Sequence, residues 1–99
     1  MNEKNATHHL KAFGLRVKRL RAEKLMTQEE LAESCQLFRT YMSRIESGLA
    51  NPTLTVIHAL ADGLGVQVQD LFDEAEASMA VLPLRVNSEK KTSRGRVAR

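Results

Sequence analysis

Leu10, Phe13, Val17 and Leu20 recur at helical spacing, with Lys11, Arg16, Lys18 and Arg19 off that stripe. The pattern predicts a first helix from about Leu10 to Lys24, preceded by a polar, irregular arm over residues 1–9. Leu31, Cys35, Leu37, Met42 and Ile45 then form one apolar seam across two short helical patterns, about Gln28 to Cys35 and about Arg39 to Ser47. Gly48 is a plausible stop for the second of these. Leu54, Ile57, Leu60, Ala61 and Leu64 mark a fourth helix, which Gly63 and Gly65 are expected to end. Val66, Val68, Leu71 and Phe72 suggest a short fifth helix, with Asp70 and residues 73–76 facing water. The fold expected is all-α, a compact five-helix bundle.

Helix starts are signalled as clearly as the stripes. Thr27 can cap the second helix while Glu30 reaches back to the cap's own N–H, a capping box, and Met26 with Leu31 sits at the positions of a hydrophobic staple. Asn51-Pro52 marks a turn and Thr53 can cap the fourth helix. The gap between the second and third helices is too short for an ordinary loop. One helix that props and one that exposes Arg39, Thr40, Tyr41, Ser43 and Arg44 is the pattern of a helix-turn-helix.

The character changes after Ser78. MAVLPLRV is an isolated apolar stretch broken by Pro83, and SEKKTSRGRVAR has no periodicity and reads as disordered. The division expected is an arm at 1–9, a helix-turn-helix domain at 10–77, and a C-terminal arm with a basic tail at 78–99. The arm could pack on the domain or on a partner, or be a linker.

Composition narrows the function. The chain has 99 residues, enough for one core, and aromatic residues are 4% of it, so the core must be aliphatic. Its net charge of +3 is uneven: residues 85–99 carry six bases and one acid, leaving nine bases and eleven acids, a net −2, on the rest. Within that remainder Lys11 to Lys24 holds six bases against Glu23, and Asp62 to Glu76 holds five acids. Such a dipolar molecule can turn one face to a polyanion. No apolar run approaches the roughly 18 residues of a membrane span. The N-terminal residues lack a signal-peptide core, and the single Cys35, expected in the core, fits a reducing compartment. A cytoplasmic protein is expected. Catalysis is not: no glycine-rich phosphate loop and no nucleophile–base arrangement is visible. One cysteine and three histidines, two of them the adjacent His8 and His9, do not make a metal site, and no cofactor is expected.

Double-stranded DNA is the partner these features suggest. Gln28 places an amide at a helix N-terminus, where free N–H groups favour phosphate. Arg39 and Thr40 fall in the first turn of the third helix, where a groove-bound helix meets base edges. Arg44 shares a face with Thr40; arginine can pair with guanine and threonine can offer its methyl to thymine. RNA fits less well, because Tyr41 and Phe38 are the only candidates for exposed stacking aromatics.

The motifs RLRAEK, TQEELA, RTYMSRIESG and NPTLTVIHALADGLGV, over residues 11 to 73, resemble the Cro/lambda-repressor-like (XRE-type) helix-turn-helix transcriptional regulators. The RTY run is similar to the controllers of restriction–modification systems. The resemblance implies a five-helix bundle that binds an operator as a dimer, with a partly buried ion pair between Arg21 and Glu46. It also places Gln28, Arg39, Thr40, Tyr41, Ser43, Arg44 and Asn51 at DNA-contact positions. Two residues depart from the family pattern. Gln36 stands where the turn usually has glycine, at a cost of about 1 kcal/mol if its backbone is left-handed. Phe38 replaces the small polar residue that opens the third helix; it cannot cap, and is either a core plug or an apolar contact to DNA.

The expected function is sequence-specific transcriptional regulation, as a repressor or autoregulator. One short recognition helix reads about four base pairs, too few to specify a genomic site, so a homodimer on a roughly palindromic operator is expected. Leu64, Val66, Val68, Leu71 and Phe72 exceed what a small core needs and are the candidate dimer surface. An alternative is an antitoxin that binds a toxin through residues 79–86 and represses its own operon. RNA polymerase is a further candidate partner.

Overall fold

The computed structural model describes residues 3–73; the apolar arm and basic tail expected at 78–99 lie outside them. Four α-helices, α1 (Glu3–Glu23), α2 (Gln28–Ser34), α3 (Arg39–Glu46) and α4 (Leu54–Leu64), are followed by a 3-10 turn at Val68–Phe72. Helix α1 packs against α3, α4 and the 3-10 turn, and α2 packs against α3 and α4. The core between them is aliphatic, with Val17, Leu31, Met42, Ile45, Leu60 and Leu71 almost fully enclosed.

Three expectations are corrected here. The irregular arm is absent from residue 3 onward, because α1 begins at Glu3. Residues 10–20 nucleate the helix by packing, and propagation adds one hydrogen bond per residue through a stretch with no proline or glycine. The fifth helix is a 3-10 turn of five residues, too short for a stable α-helix. Its first residues are held by the Gln67 N–H donating to the Asp70 carboxylate at 3.0 Å. Arg16 then reaches from α1 to donate its Nε–H to the Asp70 carbonyl at 2.7 Å, which fastens the turn to α1. Asp70 is therefore half-buried rather than facing water.

Caps formed as the sequence predicts. The Glu30 N–H donates to Thr27 Oγ1 at 3.0 Å and the Thr27 N–H to Glu30 Oε1 at 2.8 Å, closing the capping box. The Val56 N–H donates to Thr53 Oγ1 at 3.2 Å. All four helices end in one device, a left-handed residue whose following N–H reaches back to the carbonyl five residues earlier, the Schellman arrangement. Met26, Leu37, Leu49 and Val66 donate these bonds to Arg21, Ala32, Arg44 and Ala61. Gly48 and Gly65 supply the left-handed backbone after α3 and α4, but Leu25 (φ 59°) and Gln36 (φ 60°) supply it after α1 and α2. Gln36 thus adopts the left-handed backbone that the family's usual glycine would ease. Each non-glycine costs about 1–2 kcal/mol, offset by satisfied helix-end carbonyls. Gly63 lies inside α4, and only Gly65 follows its end.

Cys35 is buried, and its thiol donates to the Ala59 carbonyl at 3.3 Å. Burial raises its pKa above the ordinary thiol value, outweighing the lowering by a hydrogen bond with Ser34, so the reactive thiolate is disfavoured. Among the described residues no group of His, Cys, Asp or Glu could hold a metal ion, and no helix is long and apolar enough to cross a membrane.

Candidate nucleic-acid interface

Helix α3 has two faces. Met42, Ile45 and Glu46 are buried. Arg39, Thr40 and Arg44 are exposed and Ser43 is half-buried; at 100° per residue these four lie on one side, opposite the core. Tyr41 falls outside that strip, half-buried and packed against the core. Ser47 belongs to the outward strip as well, four residues beyond Ser43, and its hydroxyl donates to the Ser43 carbonyl at 2.7 Å. Sequence reasoning missed it, although the i, i+4 spacing was available as a signal.

Phe38 opens α3 without a side-chain cap and is 84% exposed, so it is not a core plug. It places a bare aromatic ring at the N-terminal end of the strip, next to Arg39. Asn51 is exposed on the connection between α3 and α4. Arg44 donates from Nη2 to the Leu49 carbonyl at 2.9 Å, near the C-terminal end of α3. There it also complements the negative end of the helix dipole.

The angle of α3 is set from below. Arg21 on α1 donates from Nε to Glu46 Oε2 at 2.7 Å and from Nη2 to Oε1 at 3.1 Å, and from Nη1 to the Met26 carbonyl at 2.7 Å. The pair is buried, with side-chain exposures of 14% for Arg21 and 3% for Glu46. Bidentate geometry fixes the guanidinium and carboxylate in one plane, so the contact resists rotation of α3 against α1.

Gln28 extends this contact to the surface. Its Nε2 donates to Glu46 Oε1 at 2.9 Å, and its Oε1 accepts from Arg39 Nη1 at 3.4 Å. The result is a chain from α1 through α3 and α2 to the first residue of the outward strip. The carboxamide is thus engaged within the protein on both of its polar atoms. Arg39 gains a fixed partner at the end of an otherwise mobile side chain.

Close backbone approach completes the mounting. A Cβ placed on Gly14 of α1 would lie 2.4 Å from the Ile45 carbonyl oxygen and 2.7 Å from that of Glu46. Only glycine allows α1 to come this near the end of α3. Of the candidate dimer residues, Leu64 and Leu71 are buried in the single chain's own core, Val66 and Val68 are half-buried against it, and Phe72 is 53% exposed. The first two are therefore not surplus surface: α1 and α4 enclose them once the 3-10 turn docks.

Comparison with known proteins agrees with this geometry. Over 62 residues the chain is 47% identical to the control protein C.BamHI of Bacillus amyloliquefaciens, covering 62% of this chain and 76% of that protein. It is 41% identical over 61 residues to the immunity repressor of Bacillus phage phi105, covering 62% of this chain and 42% of the repressor. Among solved structures, the restriction–modification controller protein C.AhdI from Aeromonas hydrophila superposes with a TM-score of 0.63 at 38% identity, over 64% of this chain and 96% of its own. A family model described as a helix-turn-helix domain matches residues 12–75. With α2 propping α3 and the outward strip of α3 free, the chain belongs to the XRE-type helix-turn-helix family of DNA-binding transcriptional regulators.

Proposed function

We propose that this protein is a non-enzymatic, sequence-specific regulator that reads duplex DNA with α3, acting as a homodimer on a roughly palindromic operator to repress transcription, its own included. The observation that carries the reading is the chain Arg21–Glu46–Gln28–Arg39, which begins in the core and ends at the recognition strip. A side chain held in place before binding loses less entropy when it meets a base edge. Arg39, Thr40, Ser43 and Arg44 face the groove in this reading, Phe38 meets a thymine methyl, and Asn51 and Tyr41 contact the backbone at the edges. Gln28 acts mainly by orienting Arg39. The similar solved structures of restriction–modification controller proteins favour a gene beside a restriction–modification system as the regulated one.

Arg39→Ala and Arg44→Ala are each expected to lose about 1–3 kcal/mol of affinity on the preferred site and to relax discrimination there. Fluorescence anisotropy on a site selected from random duplexes measures this. Unchanged affinity in both variants, with folding intact, would reject α3 as the reader.

Dimerisation follows from the need for a longer site. Two copies related by a two-fold axis would read half-sites about 34 Å apart, one helical turn, or a multiple of that. Phe72, Val66 and Val68 supply the apolar contact; they lie in or just before the 3-10 turn, which packs on α1 and α4, and the exposed Asp73 follows directly. Light scattering at micromolar concentration is expected to give twice the chain mass of 11.1 kDa. A monomer, both free and on a single half-site, would remove the dimer from the reading.

A further inference from the structure

Beside the 3-10 turn lies a cleft of about 290 Å³ with an apolar floor of Leu10 and Phe13 of α1, Pro52 before α4, Ile57 of α4, and Leu71 and Phe72, bordered by the polar His9 and Asn51. Phe13 and Leu71 are buried, Ile57 is half-buried, and Phe72 forms an exposed rim with its ring 5.4 Å from that of Phe13. The extra length of α1 matters here, because it carries His9 into the wall beside Leu10. An apolar cleft of this size open to water forgoes about 25 cal/mol for each Å² that a ligand could cover.

We propose that this cleft is the docking site for the chain's own segment Met79–Leu84, bound in cis. The sequence of that segment is Met-Ala-Val-Leu-Pro-Leu, six apolar residues without a charge. Five residues, 74–78, separate it from Asp73, which directly follows the rim residue Phe72. They span at most about 18 Å at 3.3–3.6 Å per residue, and little of that is needed to reach a cleft that begins one residue away. So short a tether gives an effective concentration in the millimolar range. A second copy at micromolar concentration competes poorly with it. Charge points the same way: the acids Glu74 and Glu76 fall in the tether and none falls in the run that would meet the apolar wall. Pro83 lacks an N–H, so the segment suits a single extended chain laid in a groove better than a strand inside a sheet.

Methyl-labelled full-length protein tests this directly. Nuclear Overhauser contacts are expected from Val81, Leu82 and Leu84 methyls to those of Leu10 and Ile57, unchanged on dilution. In full-length protein carrying both Val81→Asp and Leu82→Asp, those contacts should vanish and the Leu10 and Ile57 methyl resonances should shift, while the remaining core signals stay in place. Absence of the contacts in the unsubstituted chain would overturn the proposal. So would contacts seen between differently labelled chains in a mixed sample, which would assign the segment to a partner's cleft. Light scattering on the same samples reads the dimer separately, so loss of one leaves the other standing.

Discussion

Glu46→Ala is expected to destabilise the fold by about 3 kcal/mol, the cost of removing one partner from a buried ion pair. Arg21, only 14% exposed beside Glu46, would lose both bonds to the carboxylate and keep the Met26 carbonyl. A stranded guanidinium in that position has little access to water and has lost its counter-charge. For a domain of 60–100 residues, each kcal/mol moves the melting temperature by about 4–8 °C, so the expected drop exceeds 10 °C. The combined variant Arg21→Met, Glu46→Leu should recover much of the loss, because an apolar pair of similar volume carries no desolvation cost. Its DNA affinity should nevertheless stay low, since Gln28 would have lost its anchor and Arg39 its orientation. Thermal denaturation followed by circular dichroism, with binding measured below the transition, separates the two effects. A wild-type melting temperature for Glu46→Ala would rule out the pair as a structural tie.

Gly14→Ala is expected to be as damaging, for a steric reason. The new Cβ would stand 2.4 Å from one backbone carbonyl oxygen of α3 and 2.7 Å from the next. Neither oxygen belongs to a flexible side chain, so relief requires moving α3 or α1 as a body. Overpacking of a tight contact costs about 1–3 kcal/mol. The helix displaced is the one that carries Arg39 and Arg44, so operator affinity should fall about tenfold or more, equivalent to 1.4 kcal/mol or above. Gly65→Ala provides the contrast. Gly65 has a left-handed φ of 70° but open space around it, so the change should cost only about 1 kcal/mol of backbone strain and leave DNA binding intact. If Gly14→Ala melted and bound like the unsubstituted chain, the close approach of α1 and α3 would not be what sets α3.

The stability of this domain and its candidate function share parts. Arg21 and Glu46 hold the bundle together and, through Gln28, hold the first residue of the strip. Variants there will mix loss of fold with loss of binding, whereas Thr40, Ser43 and Arg44 can be changed at the surface with little effect on the core.

The sequence by itself determined the parts governed by local rules. Apolar spacing located α2, α3 and α4 and most of the core. The Thr27–Glu30 box and the Thr53 cap were legible because they involve residues three apart. Gly48 and Gly65 announced helix ends, and the HTH motifs led to Arg21 and Glu46 as a pair through family resemblance. The polar start of α1 was not legible, because Thr7, His8 and His9 are exposed and leave no apolar stripe to read. Neither was the left-handed Leu25, since leucine gives no local reason for that backbone; the closure of α1 imposes it. Tertiary packing also decided that Leu64 and Leu71 go inside, that Gln28 turns inward to Glu46 and Arg39, and that Gly14 admits α3. Each of these depends on two elements distant in sequence meeting at a particular distance, and periodicity along one chain carries no record of that distance.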